Sequence, residues 1–88
     1  MVSKSAKKIV ARMRASAANK NQGDMERVAL GYGFDVWEGK NHTTYSHPIY
    51  NELVGQWPRH GDVLPVYVKR LLKLIDKLEV LEGERKNG

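Results

Sequence analysis

Eighty-eight residues, 41% of them hydrophobic, make one domain with no room for a second core. Fifteen Lys and Arg against ten Asp and Glu leave a formal charge of +5, and the absence of cysteine excludes disulfide staples, thiolate zinc sites and cysteine nucleophiles. No apolar run approaches the ~18 residues of a membrane span, and the N-terminal lysines are followed by neither the apolar segment nor the cleavage site of a secretory signal. The expectation is a small, basic, cytoplasmic protein without a membrane partner.

The charge is unevenly placed. Residues 1–22 hold six bases (Lys4, Lys7, Lys8, Arg12, Arg14, Lys20) and no acid, residues 23–78 hold seven of each sign, and residues 79–88 hold three acids and two bases. The basic character therefore belongs to an N-terminal extension ahead of a neutral domain, and the net charge by itself says little about nucleic-acid affinity of that domain. The chain divides into a basic, partly helical extension over 1–22, a folded domain over 23–82 and a flexible tail over 83–88.

In the extension, Ile9, Val10 and Met13 with Ala6 and Ala17 form a thin apolar stripe at helical spacing, with Ser5 as the predicted N-cap. Such an Ala-rich stripe is marginal alone in water. Asn19 to Gly23 reads as a polar linker. Asp24 then caps a short helix whose apolar face is Met25, Val28, Ala29 and Tyr32, stopped by Gly31 and Gly33. Phe34 to Glu38 alternates like a strand, Gly39-Lys40-Asn41 breaks it, and His42 to Ser46 resumes the pattern. Gly39 and Asn41 both accept left-handed φ, so the pair describes a β-hairpin.

His47-Pro48 ends the second strand, because proline cannot donate to a ladder. A third extended stretch is predicted around Leu53 to Trp57, closed by Pro58. Pro65 suits the first turn of a last helix in which Val68, Leu71, Leu72, Ile75 and Leu78 recur at helical intervals, with Gly83 and a charged tail beyond it. The fold class is α+β: a three-stranded antiparallel sheet with helices on one face and the other face open. A core built from about 55 residues is marginal, so a partner chain or self-association as a homo-oligomer is expected.

Histidine changes charge near neutrality and is the natural proton carrier here. If Tyr45 faces the helices, alternation puts His42, Thr44 and Ser46 on the open face, and His42 stands directly after a tight turn. An exposed strand histidine is ordinary by itself. His47, before a proline at a strand end, reads as structural or solvated. His60 lies beside Arg59 in a loop and reads as a surface residue. No Cys, no His-Glu helix motif and no close carboxylate cluster offers a metal site, so neither metal nor other cofactor is expected.

A helix ending in Tyr32-Gly33-Phe34, a turn into His42, then Tyr45-Ser46-His47-Pro48, and Pro58-Arg59-His60 ahead of a helix with Val68, Leu71-Leu72 and Ile75 together resemble the HicA family of toxins. The resemblance spans about Asp24 to Leu78. This chain has Lys40-Asn41-His42 where relatives commonly have Gly-Ser-His, with its glycine earlier at Gly39. The resemblance implies an α-β-β-β-α fold like that of double-stranded-RNA-binding domains. It also implies endoribonuclease activity on mRNA, neutralisation by a HicB-type antitoxin, and a functional histidine at His42.

Metal-free RNA cleavage needs a base at the 2′-OH, charge stabilisation at the phosphoryl oxygens and an acid at the 5′ oxygen. His42 is the candidate base or acid. Lys40, Asn41 and Arg59 are candidate RNA contacts, with His60 a further one and a conceivable second proton carrier. On the last helix Lys69, Arg70 and Lys73 stand opposite the apolar face, where they read either as a solvated surface or as a phosphate-tracking stripe. Among the aromatics, Trp57 reads as core or partner contact, and Trp37 as either buried or available for base stacking. A non-catalytic RNA-binding module on the same fold, with His42 binding phosphate, is the alternative function.

Overall fold

Helix α1 (Lys4–Ala15) is followed by α2 (Gln22–Gly31), strands β1 (Asp35–Glu38), β2 (His42–Ser46) and β3 (Val54–Pro58), and the long helix α3 (Pro65–Asn87). The computed structural model describes residues 2–87. The strands form one antiparallel sheet in the order β1-β2-β3, with Val36 opposite Tyr45, Trp37 opposite Thr44 and Tyr45 opposite Gly55. This is the predicted α+β architecture. None of the described helices is long and apolar enough to cross a membrane.

The period-two alternation decides which residues meet the helices. Thr43, Tyr45, Gly55 and Trp57 are buried, whereas His42 and Gln56 are exposed. On the covered face α2 packs against β1 and α3 against β3. Phe34, Tyr45 and Trp57 pack ring against ring there, with centroids 5.5 Å and 5.3 Å apart. Met25, Val28, Ala29, Val68, Leu71, Leu72, Ile75 and Leu78 complete the layer, as the helical spacings predict.

Helix α1 belongs to the same core. Ile9, Val10 and Met13 are buried against α2 and α3, so an arm that would be marginal alone is held by tertiary packing. The α1–α2 approach is close enough that a Cβ at Gly31 would lie 2.7 Å from Ser3 Oγ and against Ala6. Across the other side, Arg14 bonds Asp76 of α3 at 2.6 Å, with Glu79 at 3.9 Å.

Four local expectations are corrected. Ser3, not Ser5, caps α1, its Oγ accepting from the Ala6 N–H at 3.1 Å. Asn21, not Asp24, caps α2. Asp24 instead occupies the third helical position of a capping box, where its N–H donates to Asn21 Oδ1 at 2.8 Å while its carboxylate accepts from the Asn21 N–H. Neither Gly39 nor Asn41 takes positive φ; among the described residues that conformation falls to Asn19, Gly33 and Gly61. Finally, α3 runs through Gly83 to Asn87 instead of stopping at the glycine. One interior glycine costs a helix only about 1 kcal/mol relative to alanine, and Leu78 and Leu81, both just before the glycine, pack toward the core.

Candidate active site

The β1–β2 turn is shaped by a loop that follows it by some twenty residues. Gly39 N–H donates to His42 C=O at 2.8 Å, closing the hairpin from within. Arg59, just after β3, clamps it from outside. Its backbone N–H donates to Asn41 C=O at 3.0 Å, its guanidinium donates to Gly39 C=O at 2.6 Å, and the same group pairs with Glu38 at 3.2 Å. With these carbonyls held by Arg59, the turn closes without left-handed φ.

His42 is the first residue of β2 and lies opposite Pro58, exposed on the face that carries no helix. Lys40 and Asn41 are exposed on the turn directly before it. Arg59 reaches the turn as well, but its guanidinium is engaged by Glu38 and Gly39. His60 is exposed in the Arg59 loop, and no hydrogen bond among the described residues joins it to His42. Lys69, Arg70 and Lys73 are exposed on α3 and line a groove of about 530 Å³ with Val66, Tyr67 and Leu74. They belong to the helical side of the sheet, so they are not gathered with His42. A polyanion touching both would have to pass around the β3 edge. Burial pushes the Tyr45 hydroxyl up to about 12, with nearby Arg70 opposing the shift.

His47 has a structural role. It is 5% exposed, lies edge-on to Phe34 with ring centroids 5.3 Å apart, and packs beside Tyr50. Its Nδ1 accepts from the Ile49 N–H at 3.2 Å and the Tyr50 N–H at 3.4 Å, which organises the β2–β3 connection.

Two groups that support the site carry no sequence signal of it. Gln22 joins the start of α2 to the Arg59 loop. Its Nε2 donates to Pro58 C=O at 2.8 Å and Gly61 C=O at 3.2 Å, and its Oε1 accepts from Trp57 Nε1 at 2.7 Å. Glu38 balances Arg59. Trp37 is the large aromatic of the open face, 50% exposed and paired with Thr44. It stands diagonal to His42, at the roughly 7–8 Å spacing within reach of a long side chain. Trp57, by contrast, is 1% exposed and belongs to the core.

The arrangement offers an accessible imidazole on a braced turn, a flexible ammonium two residues away and an indole on the same face. No group of three or more His, Asp or Glu among the described residues is placed to hold a metal ion. No family model, curated protein or solved structure matches the chain.

Proposed function

We propose that this protein is a cytoplasmic endoribonuclease of the HicA toxin type, cleaving mRNA at His42 and silenced when a HicB-type antitoxin covers that histidine. The reading treats the α2-β1-β2-β3-α3 unit as a fold like that of double-stranded-RNA-binding domains, with α1 added in front. The observation that carries it is the exposed His42 imidazole, fixed by the clamped turn on a helix-free sheet face beside Lys40.

In the proposed reaction the RNA 2′ oxygen forms a bond to the adjacent phosphorus and the bond to the 5′ oxygen breaks. The products are a 2′,3′-cyclic phosphate and a 5′-hydroxyl. His42 takes the 2′-OH proton while solvent water protonates the departing 5′ oxygen, or His42 delivers that proton while water takes the first, and Lys40 faces the non-bridging oxygens. Trp37 offers a stacking surface for an unpaired base.

Cleavage of a defined RNA by wild type and His42→Ala, both shown to be folded and both in excess chelator, tests the reading. Loss of the proton carrier is expected to slow cleavage about 10²–10⁴-fold, and a 2′-deoxy substitution at the scissile nucleotide is expected to block it. Equal cleavage by the His42 variant, or cleavage abolished by the chelator, overturns the reading. The engagement of Arg59 by Glu38 and Gly39 favours a second reading, a non-catalytic RNA-binding module, because among the described residues it leaves Lys40 as the unengaged cation of the turn. RNA retarded in a gel but recovered intact would select it.

A further inference from the structure

At its N-terminal end helix α1 carries charge against its own stability, although Arg12 and Arg14 in the last turn suit the dipole. Lys4 and Lys7 lie near its N-terminal end, where the helix dipole disfavours cations, and no acid stands in its first turn. Lys4, Lys8 and Arg12 follow one another at i, i+4 and i+8, so each neighbouring pair is a like-charge repulsion. Among the described residues none of these three has a carboxylate within ion-pair distance, whereas Arg14 is taken by Asp76 and Glu79. The apolar face of the helix is spent in the core, and the ridge between its cations exposes only Ser5, Ala11 and Ala15. Helix α3 carries a comparable row in Lys69, Lys73 and Lys77 and also lacks an acid in its first turn, but Asp76, Glu79 and Glu82 share that helix, whereas α1 contains no acid at all and so presents a purely cationic face.

We infer that the Lys4-Lys8-Arg12 ridge of α1 is a second, sequence-independent contact for the phosphate backbone of RNA. Three cations spaced about 6 Å apart along the axis present a straight row to a strand of phosphates. A membrane surface is a poorer partner, because an interfacial helix inserts an apolar face and that of α1 is already buried. Since α1 is held by α2 and α3, the ridge stands with the helices and apart from the open face bearing His42. The choice of RNA rests on the function proposed above; the charge argument does not.

The test is binding of a fluorescent 20-nucleotide 2′-O-methyl RNA, which cannot be cleaved through its 2′ oxygen, across a salt series. The triple variant Lys4→Gln/Lys8→Gln/Arg12→Gln alters exposed side chains only and is expected to keep the wild-type circular-dichroism spectrum, with a melting temperature no lower than that of wild type because like-charge repulsion is relieved. Each phosphate contact to a single strand contributes about 0.7 to the slope of log K against log salt. The variant should therefore lose about 2 from that slope and bind on the order of 100-fold more weakly at 0.1 M salt, converging with wild type near 1 M. An unchanged slope, with loss confined to a Lys69→Gln/Lys73→Gln variant, assigns the binding to α3 and overturns the inference. Equal or tighter binding to phosphatidylglycerol vesicles, lost in the same triple variant, overturns it in favour of a membrane. The cleavage reading is tested separately, on unmodified RNA with the His42 variant, so its failure and failure of the α1 ridge give different results.

Discussion

Replacing Gln22 by leucine separates the start of α2 from the loop that clamps the His42 turn. Three hydrogen bonds go, and they are not equivalent. Pro58 and Gly61 lie where water can reach, so their carbonyls rehydrate at small cost. Trp57 is 1% exposed, so its Nε1–H is left buried without an acceptor. An orphaned buried donor costs about 1–3 kcal/mol, and a central value near ~2 kcal/mol lowers the melting temperature of a domain this size by roughly 8–16 °C. Urea unfolding followed by circular dichroism measures the loss directly. The double variant Gln22→Leu/Trp57→Phe removes both partners, and the missing donor should make its cost smaller than the sum of the singles by ~1 kcal/mol or more. A Gln22→Leu protein within ~0.5 kcal/mol of wild type, the usual range for inconsequential surface changes, would refute the assignment. So would additive costs in the double variant.

Two further predictions concern the ring cluster beneath the sheet. A Cβ at Gly55 would lie 2.6 Å from Tyr45 Cζ and closer still to its hydroxyl. The ring is confined by Phe34 and Trp57, so Gly55→Ala is expected to destabilise by about 1–3 kcal/mol, and Tyr45→Leu to recover part of that in the double variant, both read by chemical denaturation. The Tyr45 hydroxyl, raised by burial to about 12, keeps its proton in the folded state at pH values where the unfolded chain has lost it. Its contribution is full below about pH 10, the unfolded value, and fades as pH rises from there through about 12. Tyr45→Phe should therefore flatten the alkaline limb of stability against pH, and an unaltered limb would contradict the assignment.

Much of the layer structure was legible in the residues alone. The run Val68, Leu71, Leu72, Ile75, Leu78 has one periodicity and thus one buried face. Alternation along His42 to Ser46 leaves no choice once Tyr45 goes inward: His42 must face out. These are local patterns, and the hydrophobic effect reads them without regard to the rest of the chain. The connections between layers were not legible, because they join residues with no local relation. Arg14 meets Asp76 at a separation of 62 residues, Arg59 meets Gly39 at 20, and Gln22 meets Trp57 at 35. Arg59 had the composition of a phosphate ligand, and only its placement beside Glu38 makes it a brace. The docking of α1 turned on Gly31, whose missing side chain admits Ala6 to contact. The capping of α2 was decided between Asn21 and Asp24 by reciprocal bonds that three-residue spacing permits in either reading. Sequence determined which faces are apolar and where His42 points; the tertiary structure decided which charges remain free to meet a ligand. Burial follows a residue's own chemistry and its neighbours in the chain, whereas pairing depends on what distant segments bring within reach.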